Sequence, residues 1–130
     1  MQLKFISLLV DDQAKALAFY TEKLGFEKMA DLPFGEGRWL TVTSPDGLTG
    51  VELTLEPSSA FPPLGVYQKA LYDAGIPANA FITSDIAAEV AQLKARGVVF
   101  RGEPTLMGPI TAVMFEDTCG NLIQLVQPHA

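Results

Sequence analysis

Apolar and polar positions along the chain fall into two alternating rhythms. Residues 3–10 form a short apolar run bounded by Asp11 and Asp12, which predicts a buried strand followed by an aspartate-capped helix start. Residues 13–24 then place Ala16, Leu17, Phe19, Tyr20 and Leu24 at helical spacing, with Gly25 as the stop. Strands are predicted over 26–32, 38–43 and 50–56, separated by turn signals at Pro33-Phe34-Gly35 and Pro45-Asp46-Gly47. Residues 57–65 are rich in Pro and Ser and read as a linker, and 66–73 as a short helix stopped by Gly75. The first pattern then returns. A strand is predicted over 78–83 and a helix after Asp85, with Ile86, Val90 and Leu93 on one face and Gly97 at its end. Three more strands are predicted over 98–101, 110–115 and 122–126, with Asp117-Thr118-Cys119-Gly120 as a turn.

Both halves therefore read β-α-β-β-β, and their registers can be compared. Asp11 and Asp85 differ by 74, Gly25 and Gly97 by 72. The offset of 72 carries Val51-Glu52-Leu53 onto Ile123-Gln124-Leu125, and the offset of 74 carries Phe5 onto Asn79 and Leu8 onto Ile82. These registers predict an internal duplication: one α+β domain over residues 1–130, with modules at about 1–57 and 77–128 joined by a linker at 58–76. Side chains alternate along a strand, so Ile6, Leu8 and Val10 share one face and Phe5, Ser7 and Leu9 the other. Val51, Leu53 and Leu55 likewise oppose Glu52, Thr54 and Glu56. Each helix needs the apolar face to bury its own stripe. The opposite faces are then expected to curve around a cleft, with Phe5, Glu52, Asn79 and Gln124 paired by the repeat. Whether two modules of one chain or of two subunits meet there is left open.

Composition narrows the chemistry. The chain has 130 residues, 48% hydrophobic and 18% charged, which is the make-up of one globular domain. No run of about 18 apolar residues suggests a membrane span. The net charge of −6 disfavours nucleic acid and anionic membrane surfaces as partners. The first residues enter a strand pattern and lack a secretory leader, so a cytoplasmic protein is expected. The single cysteine, Cys119, excludes a disulfide framework, and no histidine near it in sequence would generate a thiolate. The single histidine, His129, lies beside the C-terminus and excludes a two-histidine metal site within one chain.

Three segments carry a resemblance. They are Phe5-Ile6-Ser7-Leu8-Leu9-Val10-Asp11-Asp12, then Ala16-Leu17-Ala18-Phe19-Tyr20-Thr21-Glu22-Lys23-Leu24-Gly25-Phe26, and the closing hairpin Phe115-Glu116-Asp117-Thr118-Cys119-Gly120-Asn121-Leu122-Ile123-Gln124-Leu125. With them the chain resembles the vicinal oxygen chelate superfamily, which includes glyoxalase I, bleomycin-resistance proteins and extradiol dioxygenases. The resemblance covers roughly residues 3 to 127. It implies two paired βαβββ modules whose curved sheets enclose a cleft, and often a homodimer. Metal-dependent members hold a divalent ion with four side chains, mostly His and Glu, at the symmetric positions. Here those positions carry Phe5, Glu52, Asn79 and Gln124, and only Glu52 matches that ligand chemistry. The arginine that glutathione-dependent members use in the first strand falls on Leu9, which also counts against glyoxalase I activity.

The expected cleft residues are Phe5, Ser7, Trp39, Glu52, Asn79, Phe81 and Gln124. Glu52 acts either as a general base, as an anchor for a cationic ligand, or only as a hydrogen-bonded glutamate. Asn79 and Gln124 either orient a ligand through their amides or bond protein partners. Phe5, Phe34, Trp39 and Phe81 either line the cleft or pack in the core. The expected function is metal-free binding of a small organic molecule of the bleomycin-resistance type, with no cofactor. The alternative is a lyase or isomerase using Glu52 as base, with or without weakly held Mg or Mn. A scaffold with a filled cleft is the third reading.

Overall fold

The structure, a computed structural model, describes residues 1–129. Strand β1 (Phe5–Val10) leads into α1 (Gln13–Ala18). The Asp12 carboxylate caps α1 by accepting from the Lys15 backbone N–H at 3.0 Å. The helix continues as a wider π-helical turn (Phe19–Lys23) that buries both Phe19 and Tyr20. Gly25, at φ +77°, ends it. Strands β2 (Glu27–Phe34), β3 (Gly37–Thr43) and β4 (Glu52–Pro57) complete the first module. A single 3-10 turn (Ser58–Ala60) and α2 (Pro62–Asp73) form the linker. The second module repeats the order with β5 (Asn79–Ile82), α3 (Ile86–Ala95), β6 (Thr105–Met107), β7 (Ile110–Glu116) and β8 (Leu122–Pro128).

Each module is one four-stranded mixed sheet, ordered β1-β4-β3-β2 and β5-β8-β7-β6, with β1–β4 and β5–β8 parallel. This is an α+β fold of two βαβββ units. Several sequence expectations shift. Asp85 caps α3 through the Ala88 N–H at 3.1 Å, so its counterpart is Asp12 and not Asp11. The linker helix starts at Pro62, where proline's missing N–H does no harm in the first turn. Residues 98–101 make only an isolated bridge, Phe100 to Phe115. Their apolar signal comes from Val98, which is buried in the common core. The edge strand is β6, exposed along its whole length, so it shows no alternation in the sequence.

One core serves both modules. Leu8, Val10, Leu40, Val42 and Leu55 of the first sheet join Val113, Phe115, Ile123 and Leu125 of the second around α1 and α3. Phe19 stacks on Phe115 at 6.3 Å, and Phe81 meets Tyr20 at 6.4 Å and Phe26 at 5.5 Å. The helix-bearing faces of the two sheets thus meet inside the chain, and their opposite faces point outward.

The β7–β8 turn fastens the modules together. Asp117 is fully buried and its carboxylate accepts four hydrogen bonds. Tyr20 Oη donates at 2.7 Å, Asn121 Nδ2 at 2.8 Å, and the Cys119 and Asn121 backbone N–H groups at 2.8 and 3.1 Å. Leu9 O at the end of β1 accepts from Asn121 Nδ2 at 2.7 Å and from Gln68 Nε2 of α2 at 3.1 Å. Burial raises the Asp117 carboxyl above its ordinary value despite these bonds, and burial with the Asp117 charge raises Tyr20 well above its own. Cys119 lies fully buried in this turn, its thiol pushed up to about 12 chiefly by burial, so it is held as an unreactive thiol.

Candidate functional site

The outward face of the first sheet can be read from strand register. Phe5 pairs with Glu52, Ser7 with Thr54, Thr41 with Thr54, and Trp39 with Leu32. Paired residues share a face, so Phe5, Ser7, Leu32, Trp39, Thr41, Glu52, Thr54 and Glu56 stand together on the side away from α1. The Phe5 and Trp39 rings meet edge to face at 5.2 Å, and Phe34 tilts against Trp39 at 6.4 Å.

Glu52 is largely buried at the start of β4. Its carboxylate accepts from Thr41 Oγ1 at 2.6 Å and pairs with Lys4 Nζ at 3.1 Å. The Thr41 hydroxyl, helped by Lys4, holds the carboxyl below its ordinary value against the opposing effect of burial. A carboxylate so held is a weak base near neutral pH, which works against proton abstraction by Glu52.

A cavity of about 760 Å³ opens on this face. Phe34, Trp39, Thr54 and Glu56 line it, and Ser59, Ala60 and Leu64 of the linker border one end. Every lining residue belongs to the first module or the linker, and Glu52 is not among them. Thr54 Oγ1 is buried without a hydrogen-bond partner, alone in this among the described residues. Ser7 opens instead onto a smaller cavity of about 190 Å³, shared with Tyr67, Gln68 and Asn121.

Of the remaining expected residues, Asn79 and Phe81 join Glu52 around another cavity, of about 230 Å³. β5 and β8 pair Ala80 with Gln124 and Asn79 with Ile123. Ala80, not Asn79, is therefore the counterpart of Phe5, and the offset of 74 is one residue short. Asn79 and Phe81 stand on the helix-bearing side, where Asn79 Oδ1 accepts from the Ala80 N–H at 2.8 Å and Phe81 packs against the core. Gln124 is on the outward face of the second sheet, beside Met114 and Ala80. Apart from Gln124 and Thr105 that face is largely aliphatic, and Ile82 and Met107 on it are exposed. Thr41 and Lys4, the partners of Glu52, were not expected from sequence. The alternation that singled out Glu52 also marked Thr54, but nothing local gives the strand pairing that brings Thr41 to the carboxylate.

The divalent metal of the metal-dependent relatives does not fit these residues. The register-matched set is Phe5, Glu52, Ala80 and Gln124, of which two are hydrocarbon. Among the described residues no group of three His, Cys, Asp or Glu side chains could hold an ion.

Two back-to-back βαβββ modules with open outer faces define a fold with a known lineage. The sequence profile described as the Glyoxalase/Bleomycin resistance protein/Dioxygenase superfamily matches residues 2–125, and the chain belongs to that superfamily. The Bacillus subtilis (strain 168) protein YurT is 50% identical over 127 residues, covering 98% of this chain and 99% of its own. The crystal structure of UcmS2 superposes with a TM-score of 0.82 at 32% identity, covering 97% of each chain. TnmS3, an antibiotic binding protein from Streptomyces sp. CB03234, superposes with a TM-score of 0.77 at 32% identity, covering 98% of this chain and 96% of its own. No helix among the described residues is long and apolar enough to cross a membrane.

Proposed function

We propose that the protein binds a small organic molecule without a metal, on the outward face of the first module, and that it does so as a homodimer. The observation that carries this reading is the cavity of about 760 Å³ walled by Phe34 and Trp39, a volume and lining typical of small-molecule sites. The antibiotic-binding description of TnmS3 supports the same class of ligand. Two outward faces with exposed apolar side chains support the dimer. Leu32 and Phe34 stand on one, Ile82 and Met107 on the other. In a dimer the second module of one copy covers the first module of its partner, and both faces leave water. A reducing, cytoplasmic setting suits the single buried free thiol.

The test uses Trp39, the only tryptophan, as reporter. Bleomycin and rhodamine 6G are titrated while its fluorescence is followed, and mass is measured by light scattering. Saturable quenching by either probe from a dimer is expected. In Ile82→Arg, dissociation into folded monomers with weakened binding is expected. A wild-type monomer overturns the dimer, and no quenching by either probe overturns the binding reading.

A further inference from the structure

We infer that the occupant of this cavity is a planar organic cation bearing a polar atom that meets Thr54. The inference rests on the binding reading above and concerns the chemistry of the ligand.

Charge around the cavity is unbalanced. Arg38 is its one cationic lining residue, and its guanidinium is already held by Asp31, Nε to Oδ1 at 2.9 Å and Nη2 to Oδ2 at 2.7 Å. That pair is neutral. Three carboxylates remain on the lining: Asp11, Glu36 and Glu56. The nearest cation to Asp11 is Lys15, at 3.8 Å, and both side chains are about half exposed. The Glu36 and Glu56 carboxylates make no ion pair among the described residues. Trp39 and Phe34 line the cavity, and aromatic rings of this kind attract cations through their quadrupoles. An anionic molecule entering here meets repulsion from three carboxylates, whereas a cation meets attraction from them and from the aromatic wall.

The second observation is independent of charge. Thr54 is 2% exposed, lines the cavity between Glu52 and Glu56 along β4, and its hydroxyl has no partner among the described residues. Buried hydroxyls nearly always find one. Its cross-strand neighbour, Thr41, has given its own hydrogen to Glu52. A ligand atom that accepts from or donates to Thr54 Oγ1 satisfies the one buried side-chain polar atom that the described residues leave unpaired.

The experiment compares two dyes with the same xanthene frame and opposite charge, rhodamine 6G and fluorescein, by Trp39 quenching and dye anisotropy at low salt. Rhodamine 6G is expected to bind about tenfold or more tighter, with the advantage shrinking in high salt. Glu56→Gln is expected to weaken rhodamine 6G about threefold or more and to leave fluorescein unchanged or tighter. Thr54→Val is expected to weaken rhodamine 6G while raising the unliganded Tm, two effects that a purely structural threonine would not combine. Fluorescein binding as tightly as rhodamine 6G overturns the charge inference and leaves the small-molecule reading standing. Rhodamine 6G affinity unchanged in Thr54→Val removes Thr54 from the site. Failure of both dyes and of bleomycin overturns the inference and the reading together.

Discussion

The two modules share a topology and differ in what they do with it. Both place a parallel pair at one edge and an aspartate-capped helix against the same face. Their outward faces have diverged. The first carries Trp39, Thr41, Glu52 and Thr54, with a linked hydroxyl, carboxylate and lysine. The second carries Ala80, Ile82, Ala112, Met114 and Val126, with Gln124 among them. Their last hairpins have diverged too. The β3–β4 connection is largely exposed over 44–50, whereas the β7–β8 turn is buried around Asp117. The linker accounts for the second difference, because α2 reaches the β7–β8 turn through Gln68, which donates to Cys119 O at 3.0 Å and Asn121 Oδ1 at 3.1 Å. A repeated fold thus divides its work. One module carries the more polar outer face, the other a more aliphatic face and the fastening of the chain.

The fastening is the part whose loss should cost most. Asp117→Asn puts an amide donor among four donors in a buried site, and a loss of about 3 kcal/mol is expected in urea unfolding. The two buried carboxylates should also titrate with opposite sign. Asp117 has a raised folded value, so its contribution is full below the ordinary carboxylate range and is lost as pH rises through the folded value. Glu52 has a lowered one, so its contribution is full above the ordinary range and is lost as pH falls through the folded value. Thr41→Val should cost about 2 kcal/mol near neutral pH and bring Glu52 back toward its ordinary value, which a stability–pH profile would detect as a flatter acid limb. An unchanged limb would mean that Lys4 alone sets the carboxylate.

On the ligand side, Trp39→Ala should weaken rhodamine 6G about tenfold, or about 1.4 kcal/mol, by isothermal calorimetry. Met114→Ala, on the hydrocarbon wall, should weaken it less, and equal losses would erase the proposed division between the faces. The smallest expected effect is a gain. Thr54→Val should stabilise the unliganded protein by about 1 kcal/mol in thermal melts, because an unpaired buried hydroxyl is replaced by a methyl of similar shape.

Much of this was legible in sequence because the information is local. The helix stops at Gly25 and Gly97 sit where positive φ is needed, and the apolar stripes of α1 and α3 read directly. Alternation put Glu52 and Thr54 on the face opposite Leu53 and Leu55. Registers between modules were less legible. The step between β1 and β5 depends on loops of unequal length, and a one-residue slip moves a side chain to the other face. That slip made Asn79 the counterpart of Phe5 in place of Ala80, while Asn79 and Phe81 line a cavity of about 230 Å³ with Glu52 and Phe81 also packs against the core. The Thr41–Glu52 bond and the outward orientation of both open faces depend on pairing and packing across the chain, which no local pattern records.

The shared core between the modules has a consequence for variation. Two separate copies of one module, joined by symmetry, would have to carry the same residues on both outer faces. Any change that improved recognition on one would be imposed on the other. Here the faces are encoded separately, while the polar turn around Asp117 and the covalent strap of α2 keep the halves in one arrangement. Glu36 or Trp39 can therefore be altered without disturbing Ile82 or Met114. A single chain can vary one outer face and keep the other constant.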